Sequence, residues 1–272
     1  MRLVEDKLRN YLANLPIHYI ASLRFRTMTI SRLQIAILFI IFLIKTCPIN
    51  AQTNPTEALD TKQQTIVTIS ALTTTGDIPK LRQALNAGLD AGLTINESKE
   101  ILVQLYAYCG FPRSLNGINA LMAVVDQRKA LGKNDPVGKD ASPIDQTADK
   151  YAVGRKTLEV LMGKPDNTAQ SGANAFAPVI DTFLKEHLFA DIFSRDVLTY
   201  RQRELVTISS LASMAGVESQ LQFHMGAGLQ VGLSEAQLKG IVPLIETSVS
   251  KQQADITRQV LTKVLSVKDP HK

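Results

Sequence analysis

Cysteine is scarce in this chain. It holds two, Cys47 and Cys109, far apart and without a CxxC redox pair. Tryptophan is absent, and aromatic residues make up 6% of the sequence, so a core must be built from aliphatic side chains. No alternating apolar–polar pattern of any length appears, which argues against a sheet. The apolar run "IAILFIIFLI" (Ile35–Ile44) has ten residues, well short of the ~20 that a bilayer-spanning helix needs. A basic body is missing too. Seven of the 30 basic residues and two of the 25 acidic ones lie within residues 1–51, which leaves 23 of each beyond Ala51. The pI of 9.1 is therefore no argument for a nucleic-acid partner, and none is expected.

What is present begins with a leader. Arg32, the run Ile35–Ile44 and the small residue Ala51 ahead of Gln52 have the order of a signal peptide, with Met28 as its natural start. The competing readings are an uncleaved anchor and a lipoprotein at Cys47. Lys45 and Thr46 suit a lipobox poorly. The expectation is an exported protein, periplasmic in a Gram-negative source, with no stable membrane association once the leader is removed. Only Cys109 then remains, and a single thiol makes no internal disulfide.

Beyond the leader the sequence repeats itself. "TIVTISALTTTGDIPKLRQALNAGLDAGLT" from Thr65 resembles "ELVTISSLASMAGVESQLQFHMGAGLQVGLS" from Glu204. "VTIS" recurs at Val67 and Val206, and "AGLDAGLT" at Ala87 answers "AGLQVGLS" at Ala227. Gly92 and Gly232 stand where helices stop in a left-handed cap. The capping boxes "TINE" (Thr94–Glu97) and "SEAQ" (Ser234–Gln237) start the next helices. The expectation is an all-α fold in which two tandem helical units, 52–130 and 151–265, pack together around a polar linker, 131–150.

Three sets of residues could carry chemistry. Glu204 shares a helical stripe with Ile208 and Leu211, and His224 lies on the stripe of Leu221, Met225 and Gly228. Both stripes should face inward from adjacent antiparallel helices, as a proton-transfer pair or as a hydrogen bond that only orders the core. "YAYCGFPRSLNG" (Tyr106–Gly117) places Tyr108, Cys109 and Arg113 around a turn. It reads as a pocket wall in which Arg113 receives a carboxylate, or as a helix joint with an inert thiol. His187 and Asp191, at i,i+4, could join Glu204 and His224 in a metal site only if the two faces meet; no metal is expected. The first unit has Thr65 and Ala84 where the second has Glu204 and His224, so either one composite site is shared or one site has decayed.

"RELVTISSLASMAGVESQLQFHMGAGLQVGLSEAQL" resembles the core of the carboxymuconolactone decarboxylase family. So do "YAVGRKTLEVLMG" and "FAPVIDTFLKEHLFADIFSRDVLTYRQREL", and "LYAYCGFPRSLNGI" looks like the end of that family's domain. The resemblance spans most of residues 60–255 as a tandem pair. It implies an all-α fold whose helical hairpins assemble into rings, hence a homo-oligomer. It also implies one of two activities. One branch of the family decarboxylates an unsaturated carboxylactone without a cofactor. The alkylhydroperoxidase branch is a thiol peroxidase with a CxxC between the glutamate and a histidine. That CxxC would fall near Gly216 and Ser219, where no thiol stands, so this mechanism is not expected. Glu204 and His224 match the family's glutamate and histidine.

The sequence thus favours a cofactor-independent lyase acting on a small carboxylated lactone or related acid. Catalysis would fall to Glu204 and His224, with Arg113, Tyr108 and Cys109 toward the substrate. The alternatives are an antioxidant peroxidase using Cys109 alone and a non-catalytic helical binding module.

Overall fold

The structure is a computed structural model that describes residues 58–145, 147–166 and 171–268. The signal-peptide reading of residues 1–51 lies outside the described residues. Among those described there are eleven α-helices, one π-helical segment and no strand, and no helix is long and apolar enough to cross a membrane. The chain is all-α.

The first four helices are α1 (Thr61–Thr75), α2 (Ile78–Asp90), α3 (Ile95–Cys109) and α4 (Phe111–Ala130). A segment without helix follows and is pinned down at several points. The backbone N–H groups of Ile95 and Asn96 donate to the carbonyls of Pro136 and Val137, and Arg128 pairs with Asp135 at 2.6 Å. Next come α5 (Lys150–Met162), two short helices, α6 (Gly172–Phe176) and α7 (Pro178–Thr182), and the π-helical segment Phe183–Ile192. The last four are α8 (Tyr200–Ala212), α9 (Glu218–Gln230), α10 (Glu235–Ser248) and α11 (Lys251–Lys268).

Helices α1–α4 and α8–α11 follow the same order with matching local chemistry. Asp60 caps α1 in a box with Gln63, and Thr199 caps α8 in a box with Gln202. Thr94 with Glu97 caps α3, and Ser234 with Gln237 caps α10. The α2–α3 and α9–α10 turns are closed alike. Gly92 and Gly232 take φ of 89° and 99°, and the next residue's N–H returns to the carbonyl of Gly88 or Gly228. Those two bonds satisfy carbonyls that the helix end would otherwise orphan.

The two sets of helices share one core. α1 packs on α8, α8 also on α3, and α1 also on α10. This makes α8 a central helix, with all ten residues from Arg203 to Ala212 buried. The single inward stripe expected from Glu204, Ile208 and Leu211 is therefore only part of what is covered. A helix enclosed on every side needs no amphipathic period, and its polar residues must find partners inside.

A second, smaller core of Leu161, Leu188, Phe189, Ile192, Phe193 and Ala227 joins α5 and the π-helical segment to α9. α5 meets that segment at very close range: a Cβ added to Gly154 would collide with the carbonyl of Lys185. Gly154→Ala is therefore expected to destabilise the protein by about 1–3 kcal/mol, readable as a lowered thermal midpoint.

Candidate functional site

His224 sits on α9 and Glu204 on α8, and the two helices pack against each other. Nδ1 of His224 lies 2.9 Å from Oε2 of Glu204. The histidine is 6% exposed and the glutamate 0%, so solvent does not compete for this bond. The other carboxylate oxygen, Oε1, is buried without a hydrogen-bond partner. With Nδ1 engaged, Nε2 is the nitrogen left to serve a molecule beside the ring.

Such a space exists. A cavity of about 540 Å³ is lined by His224, Tyr108, Leu188, Phe189, Leu211 and Phe223, with Ser219 and Gln220 among its polar residues. Its described lining contains no lysine, arginine or carboxylate. The volume lies in the range of small-molecule sites, which are commonly apolar with a few polar groups. Tyr108 and Phe223 present their rings edge-on to the His224 imidazole, with centroids 5.9 and 5.1 Å away. The cavity lies at the seam of the two cores, and Tyr108 packs against both.

The site is thus assembled from both sets of helices. Tyr108 comes from the end of α3, while Glu204 and His224 come from α8 and α9. Burial, reinforced by the Glu204 carboxylate, pushes the Tyr108 phenol well above its ordinary range, against a smaller pull from the Thr207 hydroxyl. Tyr108 therefore stays a neutral hydrogen-bond donor at any working pH.

Arg113 and Cys109 stand apart from this space. Gly110 ends α3 and Pro112 opens α4, and Arg113 in that first turn is exposed. It does not line the cavity, so the geometry gives it no hold on a carboxylate there. Cys109 is half-buried against the main core, and its thiol donates to the Leu105 carbonyl at 3.2 Å. Burial pushes this thiol up, only partly offset by Thr74 and Arg113. A raised pKa means less thiolate at neutral pH, and the thiolate is the nucleophile. Iodoacetamide at pH 8 should therefore label Cys109 several-fold more slowly than free cysteine, with the rate climbing as pH rises further. Labelling as fast as free cysteine would contradict this placement.

His187 and Asp191 do pair, at 3.1 Å, but Asp191 also binds Lys150 at 2.9 Å. Tyr106 leans on the His187 ring. Among the described residues no cluster of histidine, cysteine and carboxylate side chains could hold a metal.

Behind the site lies a polar network that the sequence did not reveal. Glu100, Gln104 and Tyr108 follow at i, i+4 and i+8 along α3, facing Arg203, Thr207 and Glu204 on α8. The Arg203 guanidinium is fully buried. It donates to Glu100 at 2.9 Å, to Gln104 at 2.9 Å and to the Arg195 carbonyl at 2.6 Å. Gln104 donates in turn to the Arg203 carbonyl and the Thr207 hydroxyl, both at 2.9 Å. Arg195 reaches Glu100 from outside at 2.8 Å. Burial pulls the Arg203 guanidinium down from its ordinary value, with Glu100 opposing. This network fixes the register of α3 against α8, and with it the approach of Tyr108 to Glu204.

In comparison with known proteins, no curated protein matches the chain. Residues 50–123 match the model of the carboxymuconolactone decarboxylase family. The match takes in α1 to α3 and most of α4, while Glu204 and His224 lie outside it. The likeness to the carboxymuconolactone decarboxylase family is thus confined to residues 50–123, and that region supplies Tyr108 to the cavity.

Proposed function

We propose that the protein is a cofactor-independent carboxy-lyase of the carboxymuconolactone decarboxylase type, built from two family-like units that share one composite site. The observation that carries this reading is the buried Glu204–His224 bond at the wall of an apolar cavity. The substrate would be a small carboxylated lactone or related acid. In the reaction the bond from carbon to the carboxylate breaks and carbon dioxide leaves. The electron pair stays on the carbon as an enolate, and the Nε2 proton of His224 goes to that carbon. Glu204 holds Nδ1–H and stabilises the imidazolium before transfer. An imidazolium would be the single cation on the described wall, which gives the carboxylate one place to sit. Tyr108, on the same wall, can donate a hydrogen bond to the enolate oxygen. On the leader reading this chemistry would take place outside the cytoplasm, and the family resemblance supports a ring-type homo-oligomer.

The single-thiol peroxidase gains no support from the position of Cys109. Peroxide consumption with dithiothreitol should be the same for the wild type and Cys109→Ser. A difference between them would favour that alternative.

The direct test is carbon dioxide release by the full chain across a panel of small carboxylated lactones and unsaturated acids. Turnover of at least one member is expected. A folded protein inert toward the whole panel would overturn the carboxy-lyase reading.

A further inference from the structure

The cavity at His224 does not end there. It shares Met162, Ser219 and Phe223 with a groove of about 770 Å³, and that groove shares Gln222, Gly226, Gln230 and Val267 with a further hollow of about 400 Å³. Ser219, Gln222, Phe223, Gly226, Ala227 and Gln230 recur at the spacing of one helical face, so α9 itself forms the floor of this path. At 1.5 Å per residue the face from Ser219 to Gln230 is ~16 Å long, and ~9 Å of it lies beyond His224. Its walls are mainly apolar, including Leu161, Leu229, Val264 and Val267, and the one charged residue along the described lining is Lys164, exposed at the rim.

A compact carboxylated head group alone would use little of this path, and a second carboxylate would lie against apolar walls, which is unfavourable. A molecule with a polar head and an extended hydrocarbon chain would use all of it. Resting on the carboxy-lyase reading for its head group, we infer that the ligand class is amphiphilic. The acid or lactone head meets His224, and an unbranched apolar chain lies along α9 toward Val267.

Gly226 provides the test. It lines the groove at mid-length, its φ is not in the left-handed region, and a Cβ there would meet nothing within 4 Å. Gly226→Phe should therefore block the groove without disturbing the fold. Straight-chain carboxylates from butanoate to dodecanoate would be titrated calorimetrically into the full chain. The Kd is expected to fall about three- to fourfold per added methylene until the groove is filled. In Gly226→Phe the short members should bind as before while the gain for longer ones is lost. Val267→Asp, at the far end, should weaken the longest members alone. A Kd independent of chain length, or a gain unchanged in Gly226→Phe, would overturn the inference. Turnover is a separate readout. If the chain-length gain stands while His224→Ala turns over like the wild type, the proton-transfer reading falls and the groove assignment remains.

Discussion

His224→Ala is expected to lower kcat/KM for any lactone or acid the protein decarboxylates by about 10²–10⁴, the usual contribution of a positioned general acid or base. The substitution removes the proposed proton donor and widens an existing cavity, so the fold should persist. The partner left behind complicates this outcome. Glu204 would be buried with neither oxygen engaged, and an unpaired buried carboxylate is costly. His224→Gln, which can still donate to Glu204, separates the two effects. It should recover most of the lost stability and none of the lost rate. Glu204→Gln should cost less than His224→Ala, because an amide oxygen can still accept from Nδ1–H while the stabilising charge is gone. Unchanged kcat/KM in His224→Ala would remove the dyad from the reaction.

Glu100→Gln is expected to be strongly destabilising, by about 3–5 kcal/mol. Glu100 is the anion for Arg203, which is 0% exposed, and it also receives Arg195. The amide keeps the shape and removes the charge, leaving a desolvated guanidinium without a counter-ion. Breaking such a pair from one side is expensive, whereas replacing both partners with apolar residues is often tolerated. Glu100→Leu combined with Arg203→Met should therefore be less destabilised than either Glu100→Gln or Glu100→Leu alone. Urea unfolding of the single and double variants measures this. Additive losses would mean that the network is only nominally coupled. Because the network sets α3 against α8, the double variant should also lose activity in excess of its loss of stability.

Much of this organisation was legible in the sequence because it is local. The capping boxes at Thr94 and Ser234 and the glycine stops at Gly92 and Gly232 depend on residues within a single turn. Glu204 and His224 could be paired because two neighbouring helices of a hairpin must bury their apolar faces together. The rest depends on contacts across long separations. Glu100, Gln104 and Tyr108 at four-residue intervals look like the solvated face of a helix until α8 covers them. Arg203 looks like a surface residue beside an ordinary helix start. Its burial follows from the packing of the two sets of helices, which no local spacing encodes. Arg113 shows the opposite error. Proximity in sequence to Tyr108 suggested a shared wall, but the Gly110–Pro112 turn separates the two side chains. The π-helical segment Phe183–Ile192 leaves no distinct trace in hydrophobic spacing, yet Leu184, Leu188 and Phe189 on it line the cavity.

In the proposed reaction His224 delivers a proton to one face of the bound enolate. The most direct measurement is decarboxylation in D₂O, with the product examined by NMR at the carbon that lost carbon dioxide. His224 exchanges its proton with solvent, so one deuterium is expected at that carbon, on a single stereochemical face. Label spread equally over both faces would mean that free solvent supplies the proton, and would remove His224 as its donor.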